Sequence, residues 1–151
     1  MSGGDSLRPG FSFDSPGRTI TEADIVNFAG LSGDFNRIHV DDAYARRTRF
    51  GQRIAHGLLV LSVMSGLTTQ AAGYRAIEHR VVALVDLNCR FPKPTFIGDS
   101  LFVRITVESV VPSRKPGVSE VVFRREAINQ RDEVVVVADF RMWMKDEEAL
   151  G

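Results

Sequence analysis

The sequence is poor in cysteine and in charge of one sign, and each shortage excludes a class of protein. Cys89 is the only cysteine among 151 residues, so no disulfide can form within the chain, as is typical of a reducing compartment. Its strand-like neighbours predict a buried, inert thiol. Lysine and arginine number 19, as do aspartate and glutamate, which gives a formal net charge of zero. A chain without cationic excess is not typical of proteins that bind nucleic acid or membrane surfaces.

Long apolar runs are also missing. The longest such stretch, residues 57–67, is too short to span a bilayer, and MSGGDSLRPG at the start has no secretory signal pattern. We therefore expect a cytoplasmic protein. Zero net charge gives little protection against self-association, so a homo-oligomer is expected. Length and composition, with 44% apolar and 25% charged residues, predict a single globular domain over 1–151 with a flexible N-terminus at 1–9.

The first half of the chain carries helical signals. Thr21 followed by Asp24 resembles a capping box, and the apolar residues after it fall on one helical face. A second, short helix is expected from Asp41 or Asp42, because carboxylates suit a helix N-terminus. Residues 58–67 are apolar on every face of a third helix, which predicts a helix that is enclosed on all sides.

The second half of the chain is rich in valine, isoleucine and phenylalanine. These residues predict four long strands within 80–91, 100–111, 118–129 and 133–144. In the second strand, apolar residues at 101, 103, 105 and 107 alternate with others, as in a half-buried strand. Short connections favour an antiparallel meander. A buried helix followed by such strands predicts an α+β fold with one sheet wrapped around one helix.

The stretch LSGDFNRIHVDD, residues 31–42, is polar and lies between two predicted helices. A tight loop there can bring the Asp34 carboxylate and the His39 imidazole to one wall of a cavity. Such a pair can hold a water molecule and move protons to and from a substrate. Asn36 is expected to bond the loop backbone or to orient the same water. The alternative is that these residues only cap helices, form turns and support the structure.

A metal site is the weaker interpretation of the same residues. Asp34 and His39 supply two ligands, whereas a catalytic zinc ion usually takes three protein ligands. The third would have to come from His56 or His79. We therefore expect no metal.

Gly57 stands where the enclosed helix is expected to begin. N–H groups at a helix start lack intrahelical partners, and glycine lets a ligand approach closely. The helix dipole there favours a carbonyl oxygen that gains negative charge. The alternative is that Gly57 only relieves crowding and that His56 caps the helix. An acid–base pair together with this donor would supply the groups that add water to a carbon β to a carbonyl.

FAGLSGDFNRIHVDDAYA, residues 28–45, resembles the hydratase motif of the MaoC-like dehydratases, the (R)-specific enoyl-CoA hydratases. The family pattern runs from an aromatic residue through Gly-Asp-x-Asn-Pro-aliphatic-His to a small residue six positions on. The matching positions are Phe28, Gly33, Asp34, Asn36, Ile38, His39 and Ala45. Arg37 stands where the family usually has proline. FGQRIAHGLLVLSVMSGL and CRFPKPTFIGDSLFVRITV are also similar to family segments, so the resemblance covers nearly the whole chain after about Gly10.

The resemblance implies the hot-dog fold, a long central helix wrapped in an antiparallel sheet, and dimers joined edge to edge. It implies that Asp34 and His39 activate water, that the Gly57 N–H binds the thioester oxygen and that Asn36 supports the loop. The implied reaction is (R)-specific hydration of trans-2-enoyl-CoA, or the reverse dehydration. Coenzyme A or an acyl carrier protein belongs to the substrate, so no cofactor is expected.

Three further residues are expected to contact the substrate. Ser62 matches a serine that lines the family pocket, and Arg90 and Lys93 are candidates for phosphate contacts. One alternative is a thioesterase of the same fold, which usually places an acidic residue on the central helix, whereas residues 57–73 contain none. Another is a non-catalytic acyl-CoA-binding protein, which would need neither Asp34 nor His39.

Overall fold

A six-stranded antiparallel sheet and the helix that crosses it organise the molecule. The computed structural model describes residues 7–150. Its strands are β1 Ser12–Asp14, β2 Arg18–Thr19, β3 Val81–Arg90, β4 Ser100–Pro112, β5 Val118–Asn129 and β6 Val134–Lys145. Its helices are α1 Glu22–Ser32, α2 Arg37–Val40, α3 Asp42–Ala45, α4 Gly57–Gln70 and α5 Ala72–Arg75, with 3-10 turns at Glu78–Arg80 and Glu147–Leu150.

The sheet has the order β1-β4-β5-β6-β3, and β2 also pairs with β4. The four long strands are confirmed, but the simple meander is wrong. Only β4, β5 and β6 follow one another, whereas β3 pairs with β6, with Leu87 opposite Phe140. The short strands β1 and β2, which lie along the other edge of β4, were not anticipated from the sequence. One long edge is therefore covered within the chain, and β3 forms the other.

The core lies between the sheet and α4. The alternating apolar residues of β4 are all buried, as expected of a strand with one covered face: Leu101, Val103, Ile105 and Val107. From α4, the buried side chains that join this core are Leu59, Val60, Val63, Met64 and Leu67. Cys89 of β3 packs against the same core and is half-buried. Burial raises the pKa of its thiol, which disfavours the reactive thiolate.

The prediction that α4 is enclosed on all sides is wrong for the single chain. Leu58 is 62% exposed, and Ser62 and Ser65 are exposed as well. These residues stand on one helical face, three or four positions apart. The sheet covers only the opposite face, so the apolar composition of the helix exceeds what one chain can bury.

The helix starts follow the sequence signals. Thr21 and Asp24 form a capping box, in which the Thr21 hydroxyl accepts the Asp24 N–H at 3.2 Å and the Asp24 carboxylate accepts the Thr21 N–H at 2.9 Å. Gly33 ends α1 with a φ of 78°, a left-handed conformation that glycine adopts without strain. Asp41 begins α3, as expected, by accepting the Tyr44 N–H at 2.9 Å.

The N-terminus expected to be flexible, residues 1–9, falls mostly on residues 1–6, which lie outside the described residues. Of the part that is described, Leu7 packs against the core, and the nearby Gly10 N–H donates to the Val107 carbonyl at 2.8 Å. Across 7–150, no helix combines the length and apolar character needed to cross a membrane. The single domain over 1–151 stays a prediction.

Candidate active site

Asp34 and Asn36 shape the loop between α1 and α2 through their side chains. The Asp34 carboxylate accepts the Asn36 N–H at 3.1 Å, and the Asn36 side-chain oxygen accepts the Ile38 N–H at 3.3 Å. Asn36 is therefore the N-cap of α2, which is the first of the two roles expected from the sequence. Asp34 is exposed, so its carboxylate is open to a ligand.

Arg37 occupies the first position of α2, where proline is favoured because its missing N–H would have no helical partner. An arginine therefore fits the same backbone. Its guanidinium bonds the Asp41 carboxylate at 3.0 Å and lies 4.6 Å above the centre of the Tyr44 ring. The departure from the family pattern replaces a rigid ring by contacts that join α2 to α3.

His39 is buried, and its ring is fixed by a hydrogen bond. Nδ1 lies 2.7 Å from the Ile54 carbonyl oxygen. Because a carbonyl only accepts, Nδ1 carries the hydrogen and Nε2 keeps a lone pair. Burial lowers the pKa of His39 below 6.5 and the nearby His56 lowers it too, whereas the bond to Ile54 and the Asp34 charge oppose them. At neutral pH His39 is therefore an uncharged base.

The loop brings the expected acid–base pair together. Asp34, His39 and His56 each offer an atom, and these atoms lie within 4.8 Å of one another. His56 is 2% exposed, and its ring stacks on that of His39 with 3.9 Å between centroids. His56 is the N-cap residue of α4, but its side chain makes no capping bond, so the capping role considered for it is wrong. Apart from that capping role, the sequence offered His56 only as a possible third metal ligand beside Asp34 and His39, and its position directly before Gly57 is the signal for a place in the site.

The same three residues suit a metal ion poorly. The lone pair of an imidazole lies in the ring plane, and the two stacked rings are inclined by only 26°. Their lone pairs therefore cannot meet at one ion about 2 Å from both nitrogens. One nitrogen of each ring also faces a backbone carbonyl, that of Ile54 or of Asp34.

Gly57 begins α4, as expected, and lines a cavity of about 220 Å³. Its N–H donates to no other group among residues 7–150. A Cβ atom at this position would lie 2.9 Å from Cε1 of Phe91, so only glycine lets that ring lie against the helix start. The cavity is lined by Arg49, Phe50, Ile54, Ala55, Val60, Phe91, Pro92, Lys93, Pro94, Thr95, Val135 and Val136. Gly57, with its free N–H, thus lines this cavity at the N-terminus of α4, whereas Asp34, His39 and His56 are not among the lining residues.

The three residues expected to contact the substrate are not brought together. Lys93 lines the cavity of Gly57, with Nζ 2.5 Å from a Glu133 carboxylate oxygen. Ser62 lies outside that lining and donates its hydroxyl to the Leu58 carbonyl at 2.8 Å. Arg90 lies in a separate depression with Asp86, Asn88, Val122, Asp139 and Arg141. Sequence reasoning missed Arg49, which lines the same cavity as Lys93 and belongs to the arginine-rich run 46–49.

A family model described as MaoC like domain matches residues 6–129. The chain belongs to the MaoC-like domain family. Protein MaoC of Klebsiella aerogenes is 43% identical over 68% of this chain and 29% of its own length. The (R)-specific enoyl-CoA hydratase of Rhodospirillum rubrum is 41% identical over 65% of this chain and 65% of its own length. The MaoC-like domain thus spans less than two thirds of both curated relatives.

Solved structures show the fold of this family. The structure described as a monoamine oxidase regulatory protein of Archaeoglobus fulgidus matches with a TM-score of 0.86 and 31% identity, covering 93% of this chain and 92% of that one. A Mycobacterium tuberculosis protein described as a double hotdog fold matches with a TM-score of 0.79. The MaoC-like domain has the hot-dog fold, which confirms the α+β architecture expected from the sequence.

Proposed function

We propose that the MaoC-like domain catalyses (R)-specific hydration of a trans-2-enoyl-CoA to the 3-hydroxyacyl-CoA, or the reverse dehydration. The observation that carries the proposal is the meeting of Asp34 and His39 within 4.8 Å. His56, stacked on His39, directly precedes Gly57, so the pair lies beside a free N–H that can bind a thioester oxygen. Relatives named (R)-specific enoyl-CoA hydratase and 3-hydroxybutyryl-CoA dehydratase support it.

The mechanism assigns one task to each group. The Gly57 N–H donates to the thioester oxygen and draws electrons from the C2=C3 double bond, a contribution of about 10²–10³ in rate for one such donor. Asp34 and the lone pair of His39 Nε2 hold a water molecule and take its proton as the oxygen bonds to C3. The pair returns a proton to C2. Because both additions come from one side of the double bond, the addition is syn.

We propose that the reaction needs no cofactor, because adding water requires no net oxidation or reduction. Coenzyme A or an acyl carrier protein is the thioester carrier and belongs to the substrate. Lys93 and Arg49 line the cavity and offer positive charge to the phosphates of that carrier. Exposed cations contribute little each, so their removal should change binding modestly. Contacts from Ser62 and Arg90 stay predictions. We place the reaction in the cytoplasm.

We propose a homodimer joined through β3. An exposed apolar edge strand is rarely left uncovered, and the large apolar residues of β3 that are at least 39% exposed are Val82, Leu84, Val85 and Leu87. Leu84→Lys would place a charge on this edge and shift the molecule towards the monomer in sedimentation velocity. Val111→Lys is the matched control, because Val111 is also exposed but lies on β4. Equal dissociation in both variants would contradict a β3 interface.

The enzymatic proposal is tested with crotonyl-CoA, by following the loss of absorbance of the enoyl thioester. We expect turnover by the native chain and its loss in Asp34→Asn and His39→Ala. The assignment is wrong if short, long and branched enoyl thioesters are all inert, or if both variants keep the activity.

The alternatives have less support. A thioesterase with its carboxylate on the central helix finds none here, since α4 contains no aspartate or glutamate. Release of free thiol from acyl-CoA without hydration would favour that class. A binding protein would not need Asp34 and His39 to converge; acyl-CoA binding without turnover would favour it.

A further inference from the structure

We infer that His56 is a positioning residue, whose imidazole holds the Asp34 loop and the His39 ring in their working arrangement. The inference rests on the proposed function. His56 belongs to neither the proton-transfer pair nor the oxyanion donor, and yet it is the most deeply buried residue of the three-residue cluster.

The His56 ring contacts two other rings. The Phe28 ring of α1 lies 4.9 Å away between centroids, tilted by 60°. The His39 ring of α2 stacks on it at 3.9 Å and 26°. One imidazole at the start of α4 therefore joins three helices that are separate in the sequence. The His39 ring is held at its edge by the Ile54 carbonyl and across its face by His56.

A hydrogen bond ties the same imidazole to the Asp34 loop. His56 Nε2 lies 2.9 Å from the Asp34 carbonyl oxygen, across 22 residues of sequence. A carbonyl only accepts, so Nε2 carries the hydrogen. This bond fixes the backbone that bears one member of the pair to the residue before Gly57. The proton-transfer groups and the oxyanion donor are thereby held at a set separation, which small displacements would spoil.

The other nitrogen shows that packing alone does not explain the residue. His56 Nδ1 is buried and has no hydrogen-bond partner among the described residues. A buried polar atom without a partner is unfavourable, whereas a phenylalanine ring would fill the same stack without that atom. The histidine therefore contributes something that an apolar ring cannot, and the bond from Nε2 is that contribution.

His56 also affects its neighbour electrostatically. The groups that act on the His39 imidazole are the Ile54 carbonyl, the Asp34 carboxylate and His56, and the last of these lowers the pKa of His39 in addition to burial. Removing the His56 imidazole should therefore raise the pKa of His39. A residue that served only to fill space would leave that pKa unchanged.

The experiment compares His56→Phe, which keeps a flat ring without the donor, with His56→Gln, which keeps an N–H donor without the ring. His79→Phe is the matched control, because His79 is exposed and outside the site. Folding of each variant is checked by circular dichroism. We expect kcat of His56→Phe on crotonyl-CoA to fall about 10–100-fold, the scale of a misplaced catalytic group, with KM changed less than about 3-fold. His56→Gln should lie between His56→Phe and the native chain.

A second readout needs no turnover. The chain has three histidines, so their imidazole signals can be assigned by NMR. We expect His56 of the native chain to be protonated on Nε2, and the titration of His39 to move to higher pH in His56→Phe but not in His79→Phe. If His56→Phe does not fold, His56→Gln is used for both readouts.

Several outcomes would overturn the inference. They are a folded His56→Phe with native kcat and an unmoved His39 titration, or a native His56 without a proton on Nε2. A loss of kcat as large as that of His39→Ala, without recovery in His56→Gln, would instead make His56 a proton-transfer group. If the native chain is inert on every enoyl thioester, the proposed function is wrong. The NMR titration of His39 still tests whether His56 positions its ring.

Discussion

Two walls flank Gly57 in the candidate site and are built in different ways; the apolar wall lines the cavity, whereas the polar wall lies outside that lining. The polar wall, Asp34, His39 and His56, is held by single hydrogen bonds to backbone carbonyls and by ring stacking. The apolar wall, Phe91, Val135 and Val136, comes from β6 and from the residue after β3. A wall that is held by single hydrogen bonds is sensitive to small displacements, whereas a wall that is held by apolar packing tolerates them. Substitutions in the polar wall should therefore mainly lower kcat, and substitutions in the apolar wall should mainly raise KM.

The largest effect should come from the polar wall. Asp34→Asn and His39→Ala should each lower kcat by about 10²–10⁴, the contribution of a positioned acid or base, with little change in KM. Steady-state kinetics on crotonyl-CoA measure both constants. His79→Ala is the control for removing an exposed imidazole. If both site variants kept more than a tenth of the native kcat, the polar wall would not control kcat in the way we propose.

Gly57 stands where the two walls meet, and Gly57→Ala should lower kcat/KM by up to about 10²-fold. The alanine keeps the backbone N–H, but its methyl group would hold the thioester oxygen away from this donor, and one oxyanion donor is worth about that much. Two causes must be separated, because the new methyl group would also meet Phe91 at 2.9 Å. The double variant Gly57→Ala/Phe91→Ala removes the clash. We expect the double variant to stay impaired relative to Phe91→Ala alone; a kcat/KM equal to that of Phe91→Ala would show that Gly57 serves only to make room for Phe91.

The pH dependence of activity and stability tests the protonation state of His39 in the polar wall. Since burial lowers the pKa of His39, kcat/KM should fall on the acid side with a midpoint below 6.5. Stability has the same sign. As the pH falls through 6.5 towards the folded-state pKa, the unfolded chain binds the proton first, so His39 makes unfolding easier. Urea unfolding between pH 5 and 7 should show this loss in the native chain and less of it in His39→Ala. A midpoint above 6.5 would contradict a buried neutral base.

The smallest effect should come from the apolar wall. Phe91 is 46% exposed, so Phe91→Ala should raise KM only about 3–10-fold, as for the partial loss of one apolar contact, and leave kcat within about 2-fold. Val111→Ala, an exposed residue of β4, is the control. A fall in kcat larger than the rise in KM would place Phe91 with the chemistry.

Much of this arrangement could be predicted from the sequence where the cause is local. The capping box of Thr21 and Asp24, the start of α4 at Gly57 and the approach of Asp34 to His39 depend on neighbours within a few residues. The role of His56 could not be predicted, because it arises from a bond across 22 residues.

The sheet shows the same limit. Alternation of apolar residues tells which face of a strand is buried, but it does not tell which strand lies beside it. The pairing of β3 with β6 was therefore missed. Apolar composition also predicted that α4 is covered on every side. Composition does not show whether the residues that cover a helix belong to the same chain or to another one.

The pairing of β3 with β6 also has a consequence for synthesis of the chain. β3 leaves the ribosome before β4, β5 and β6, but its partner is the last of these strands. It can join the sheet only when the meander is complete, since long-range pairing must wait for the intervening chain to be ordered. Until then its apolar residues stand as an unpaired strand, the kind of segment on which nascent proteins aggregate. β3 is thus exposed to misfolding for longer than β4, β5 or β6.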